Sequence, residues 1–344
     1  MTRYRRLVWL AMALAPLLLA GCYSFRYRDP GPGRPFVRPA EPIEAFQYTA
    51  DTAQVKLSPP KEQAGAYTVF LLKLRGRDVD GLEGGAARVF WFAPKDQARS
   101  APLLIVMPPT GGPYSLSLYF GRYFAERGFA VLCYQRREKF FKPEHDLDYH
   151  EELFRQTVID VRRGIDWATA QPGVDGTRVG ILGVSLGAIM AQLAMEADPR
   201  IESGALLLGG QDLPLILDSS GYGVVQRYRA AMMKRFHVDA DGLRALARER
   251  FRTVDPKSYP GRIDPAKVLM ISGRYDNVIR YEVTRETWAN LGYPELHVIQ
   301  AGHYTSAFYL PTDMARIYRH FVRAMDVSAR AAEAAKGGDG AGKP

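Results

Sequence analysis

Gly183-Val184-Ser185-Leu186-Gly187 is the stretch on which the fold turns. Before it runs a short apolar segment, 178–182, with the length and composition of a buried strand. After it comes Ala188-Ile189-Met190-Ala191-Gln192-Leu193-Ala194-Met195, rich in strong helix formers. A serine at such a strand-to-helix junction sits on a tight, strained turn that lifts its hydroxyl clear of the sheet. Positions 183 and 187 must lack bulk, because strand and helix pack closely there. The plain alternative is a small residue in an ordinary turn; the strand before and the helix after argue for the strained turn, a nucleophile elbow.

A nucleophilic serine needs a base, and the base needs an orienting acid. Downstream, Lys267-Val268-Leu269-Met270-Ile271-Ser272-Gly273-Arg274-Tyr275-Asp276 reads as a buried strand, a glycine turn and a carboxylate at the strand's C-terminal end. A helical stretch follows over 281–291, then a strand over 295–300, then Ala301-Gly302-His303-Tyr304. Ser185, Asp276 and His303 thus fall on one edge of a parallel sheet, where open α/β folds place their sites. Each has a duller reading. Asp276 suits a helix N-cap, and Asp212, after the strand 205–208, is a rival acid one strand earlier. His297 reads as a structural residue in mid-strand, and His320 as an exposed residue of the C-terminal helix. His145, His150 and His237 lie outside these motifs.

The segment from about Ala101 to Met325 resembles α/β-hydrolases of the dienelactone hydrolase and serine-aminopeptidase-like type, over about two thirds of the chain. The resemblance rests on the elbow, the turn from Gly273 to Asp276, and the pair Gly302-His303. It implies Ser185 as nucleophile, Asp276 as acid, His303 as base, and no metal or organic cofactor. It also implies an oxyanion hole. One donor is the backbone N–H of Leu186. The other comes from Pro108-Pro109-Thr110-Gly111-Gly112, where many relatives carry His-Gly-Gly. Proline has no N–H to give, so Thr110 or Gly111 must donate.

The N-terminus carries Arg3, Arg5 and Arg6 ahead of an uncharged run, 7–20, too short for a comfortable membrane span and right for a signal peptide. It ends Leu19-Ala20-Gly21-Cys22, which resembles the lipobox of bacterial lipoproteins. That resemblance implies cleavage after residue 21 and lipidation of Cys22. Tyr23 stands where aspartate would imply inner-membrane retention, so it points to the outer membrane, facing the periplasm. The bland alternative is an ordinary signal peptide or anchor helix. Removing residues 1–21 takes away three arginines and no acid, so the net charge of +9 becomes +6. Residues 22–43 hold Arg26, Arg28, Arg34 and Arg38 among five prolines and read as a semi-extended tether lying against anionic lipid. With Cys22 committed to lipid, Cys133 has no partner and reads as a buried small hydrophobe.

The expected architecture is one α/β-hydrolase domain over 44–326, with antiparallel strands opening a mostly parallel sheet and helices flanking it. The clearest helix is 151–169. Between 211 and 260 the strand–helix alternation stops. Val224, Tyr228, Met232 and Phe236 recur every fourth residue there, giving an amphipathic helix. It reads as a lid whose Tyr228, Met232 and Phe236 line an acyl pocket; the alternative is a helix that covers the sheet. Arg136, Arg137, Lys139 and Lys142 follow a strand at the same edge, as a receptor for an acidic group or as a solvated loop. Residues 327–344 read as a disordered tail. A modest positive excess without a recognisable module gives no reason to invoke nucleic acid. The expected substrate is a small-molecule or lipid ester, with peptide hydrolysis, acyl transfer and a non-catalytic envelope scaffold as the other readings.

Overall fold

The computed structural model describes residues 24–27, 36–49, 55–74, 86–98, 100–111 and 114–326. The expected signal peptide, Cys22, Gly112 and the C-terminal tail lie outside these. Among the described residues eleven strands form one sheet, in chain order β1 (Ser24–Tyr27), β2 (Val55–Leu57), β3 (Glu62–Gln63), β4 (Tyr67–Leu74), β5 (Ala87–Pro94), β6 (Ala101–Met107), β7 (Ala130–Tyr134), β8 (Val174–Val184), β9 (Ile201–Leu207), β10 (Val268–Gly273) and β11 (Glu295–Ile299). Their order across the sheet is β1-β11-β10-β9-β8-β6-β7-β5-β4-β2, with β3 beside β4. The block from β7 to β11 is parallel. Strands β2 to β5 are antiparallel, as their short glycine-punctuated runs suggest.

Among the described residues eight helices flank the sheet: α1 (Ser115–Ala125), α2 (Leu147–Thr169), α3 (Leu186–Ala197), α4 (Leu213–Ser219), α5 (Gly223–Phe236), α6 (Ala240–Arg250), α7 (Tyr281–Asn290) and α8 (Leu310–Ala324). Helix α2 begins four residues before the apolar periodicity indicated, because the Asp146 side chain accepts from the Tyr149 N–H and caps it. The central strands show why the sheet must be covered twice. All seven residues of β6 are buried. Leu103, Ile105 and Met107 point into one apolar cluster, Leu104 and Val106 into the other. Each such side chain stabilises the fold by ~1.5–3 kcal/mol when fully buried. Gly180 of β8 leaves room for Phe321 of α8, whose ring a Cβ would meet at 2.9 Å.

The stretch expected as a semi-extended tether contacts the domain at both of its described parts. β1 adds antiparallel to the outer edge of β11, with Ser24 opposite Ile299 and Tyr27 opposite Leu296. Arg26 pairs with Glu295 at 3.1 Å. Further on, the Arg38 guanidinium donates to the carbonyls of Met195 and Glu196 at the end of α3, both at 2.7 Å. That is a helix C-terminus satisfied by a cation. Arg26 and Arg38 therefore make contacts within the fold, while Arg28 and Arg34 lie outside the described residues.

Candidate active site

The elbow is built by steric exclusion. Ser185 takes φ 57° and ψ −123°, a conformation that costs a non-glycine residue free energy. Its N–H is tied to the Leu207 carbonyl at 2.8 Å. A Cβ on Gly183 would lie 2.1 Å from the Gly187 carbonyl oxygen, and one on Gly187 would lie 2.5 Å from that of Met107. The two glycines therefore let β8, the turn and α3 close on one another. The same contact sets the start of α3 beside the end of β6.

The three groups expected from the chain order meet. Ser185 Oγ lies 2.9 Å from His303 Nε2, and His303 Nδ1 lies 2.7 Å from Asp276 Oδ2. With Nδ1–H donating to the carboxylate, Nε2 is left to accept from the serine hydroxyl; the tautomer follows from these partners. The other oxygen of Asp276 accepts from the N–H groups of Val278 and Ile279 at 2.8 and 3.0 Å. Asp276 thus closes its own turn and orients the imidazole at once. Asp212 caps α4 instead, accepting from Leu215 N–H, and pairs with Lys257 at 2.6 Å. His297 is held by Glu295 at 2.8 Å. His320 is buried, not exposed as its helix suggested, with Nε2 3.1 Å from Ser203 Oγ; burial pushes its pKa down to about 4. Cys133 is buried and burial pushes its thiol pKa up.

Leu186 opens α3, so its N–H is one of those that a helix leaves without an internal partner. Thr110 and Gly111 line the same cavity as Ser185 and His303. Their loop is clamped from behind: Arg136 Nη1 donates to the carbonyls of Pro109 and Gly111 at 2.9 and 3.3 Å, and its guanidinium lies 4.6 Å from the Tyr114 ring centre. A Cβ at Gly111 would sit 2.9 Å from the Tyr222 hydroxyl. The basic cluster is therefore neither a receptor for an acidic group nor, in the main, a solvated loop. Arg137 forms a buried pair with Asp160 at 2.8 Å, and Lys142 pairs with Glu138 at 2.7 Å. The bracing role of Arg136 was hidden inside a charge run, and no local signal separates it from its neighbours.

Ser185 opens onto two spaces. One is a cavity of about 350 Å³, lined by His303 and Tyr304 and walled by Phe120, Leu207, Ile271, Ile299 and Leu310. The other is a narrow apolar recess of about 30 Å³ between Phe141, Ile216, Leu217, Val225 and Val278. The insertion does reach the site, but through other side chains than its stripe suggested. Tyr228 and Met232 are fully buried in the core, and Phe236 is exposed. The stripe faces His150 and Phe141: the Tyr228 hydroxyl is 3.2 Å from His150 Nδ1, and the Phe141 N–H donates to His150 Nε2 at 2.7 Å. An amphipathic period reports that a face is buried, not what it is buried against. Asp313, at the start of α8, puts the one acidic side chain among those lining the larger cavity. Burial pushes its pKa up to about 6, with Arg316 beside it pulling the other way. Among the described residues no group of three or more His, Cys, Asp or Glu is placed to hold a metal ion.

Known proteins agree with this architecture. A family model described as X-Pro dipeptidyl-peptidase (S15 family) matches residues 84–245, a little under half of the chain. No curated protein sequence matches significantly. Among solved structures, acetyl xylan esterase from Paenibacillus sp. R4 superposes with a TM-score of 0.60 at 16% identity, covering 83% of this chain and 96% of that one. Acetyl xylan esterase 1 from Thermoanaerobacterium sp. JW/SL YS485 gives 0.56 at 19%, covering 73% and 82%. The acylaminoacyl peptidase of Pyrococcus horikoshii gives 0.52 at 15%, covering 70% of this chain and 38% of that longer one.

Proposed function

The chain has the α/β-hydrolase fold, and we propose that it is a serine hydrolase of carboxylic esters, held to a membrane by lipid on Cys22. The observation that carries the catalytic reading is the unbroken hydrogen-bonded line from Ser185 through His303 to Asp276. Ser185 Oγ attacks the ester carbonyl while His303 Nε2 takes its proton. Asp276 holds the imidazole in the right tautomer and stabilises the imidazolium that forms. Negative charge on the carbonyl oxygen is met by the N–H of Leu186 and that of Thr110 or Gly111. The tetrahedral intermediate collapses, His303 returns the proton to the departing alcohol, and an ester of Ser185 remains. Water, deprotonated by the same imidazole, then attacks that ester and releases the acid and the free serine.

The two spaces beside Ser185 support a substrate with an unequal pair of substituents. The 30 Å³ recess has room for a short group and the 350 Å³ cavity for a longer one. The relatives named as esterases support an ester; the S15 description and the acylaminoacyl peptidase keep amide hydrolysis as a second reading. Ser185→Ala should abolish labelling by a fluorophosphonate and all hydrolysis above background. Labelling that persists at another serine removes the assignment. Matched esters and amides then decide between the two substrates. The anchor is carried by the lipobox-like Leu19-Ala20-Gly21-Cys22. Metabolic incorporation of a fatty-acid analogue should disappear in Cys22→Ser, and incorporation that survives contradicts it.

A further inference from the structure

We propose that the mouth of the catalytic cavity rests on the bilayer surface and that the enzyme draws its ester from the membrane rather than from water; this rests on the anchor reading above.

The first support is where the chain enters the fold. β11 runs toward the catalytic edge and β1 runs antiparallel to it, so Ser24 is the end of β1 that lies at that edge. Its partner Ile299 is a wall residue of the 350 Å³ cavity, four positions before His303. The N–H of Arg274, two residues before Asp276, bonds the Ile299 carbonyl at 2.8 Å. Cys22 stands two residues ahead of Ser24 in the sequence. Two residues span at most about 7 Å. A lipid on Cys22 therefore cannot hold the domain away from the membrane on a long leash. It pins the catalytic edge to the headgroups.

The second support is the surface of that edge. The three most exposed aromatic side chains among the described residues are Phe308, Tyr275 and Tyr304, at 85, 68 and 66%. All three lie on the loops that follow β10 and β11 and deliver Asp276 and His303. A phenylalanine that exposed is costly in water, and aromatic rings favour the boundary between headgroups and acyl chains. Arg274 and Arg280 are exposed on the β10 loop. Such cations suit an anionic bilayer, as does the net charge of +6 left after removal of residues 1–21. An ester lodged with its chains in the bilayer would then enter past Tyr304 without crossing water.

The test uses the full-length protein, purified in detergent and reconstituted in vesicles of phosphatidylethanolamine and phosphatidylglycerol, three to one. In Phe308→Trp the added emission should be strongly quenched by phospholipids brominated high on the acyl chain, with wild type subtracted. In Tyr293→Trp, on the turn before β11 and so at the opposite end of the sheet, it should not. Equal quenching of the two, or none, overturns the orientation. Second, Ser185 should be labelled by a hexadecyl fluorophosphonate dissolved in the vesicles. Phe308→Asp should slow that labelling about tenfold, while labelling by a water-soluble ethyl fluorophosphonate stays within about twofold. Wild type that is not labelled from the vesicles, or equal slowing with both reagents, overturns the proposal. The mass of the Cys22 peptide separates the causes. An acylated Cys22 with a negative result refutes the orientation alone, whereas an unmodified Cys22 refutes the anchor and the orientation with it.

Discussion

The 30 Å³ recess beside Ser185 is walled by the helices between β9 and β10 together with Phe141; the 350 Å³ cavity takes part of its wall from the chain between His303 and Asp313. The first is dense. Tyr228 and Met232 are fully buried, His150 joins Asp146, Phe141 and Tyr228, and Arg229 bonds the carbonyl of Leu217. The second is thin. Phe308 and Tyr304 face outward, and the turn is held by short local bonds such as Gly302 N–H to Thr305 Oγ1 at 2.9 Å. Local opening free energy follows buried apolar contact. The insertion expected as a lid is densely packed where it meets the site, and the wall that carries His303 has less to hold it.

The contrast can be broken where its expected effects are largest. Met232→Ala removes a fully buried side chain and should cost about 2–5 kcal/mol in chemical denaturation, with the preference among ester chain lengths unchanged. A shift in that preference with little loss of stability would return α5 to the acyl pocket. His150 gives a pH test of the same wall. Burial pushes its pKa down to about 4, from an ordinary 6.5. The unfolded chain therefore binds the proton more tightly than the folded one. The stabilisation is complete above pH 6.5 and is lost as pH falls toward 4, by on the order of 3 kcal/mol. His150→Gln should flatten that acid limb, leaving the part due to His320, whose pKa is shifted in the same way. An unchanged slope in the variant would show that His150 carries its proton in the folded state. The smallest effect belongs to the other wall. Phe308→Asp should change stability by no more than about 0.5 kcal/mol, as surface substitutions do. A larger loss would mean that Phe308 is packed.

Much of the fold was legible because its signals are short. Gly183 and Gly187 announce a turn that only small residues permit, the uniformly apolar β6 announces a strand covered on both faces, and the spacing in 151–169 announces a helix. The exposed reading of His320 failed for a physical reason. Its position on α8 was right, but the buried side of α8 depends on how that helix lies across β9, where Ser203 receives it.

Short windows of the chain carry the elbow, the order Ser185, Asp276, His303, and the alternation that makes a parallel sheet. These follow from the sterics of a few adjacent residues and from periods of 2 and 3.6. Only the tertiary structure decided the rest. It placed Asp276 rather than Asp212 beside His303, brought His303 to Ser185 across 118 residues, set Arg136 behind the Pro109–Gly111 loop, and laid Ser24 against Ile299. Each of these contacts depends on which strands lie side by side. That order is fixed by how buried faces share one core, a property of the whole chain that no short window contains.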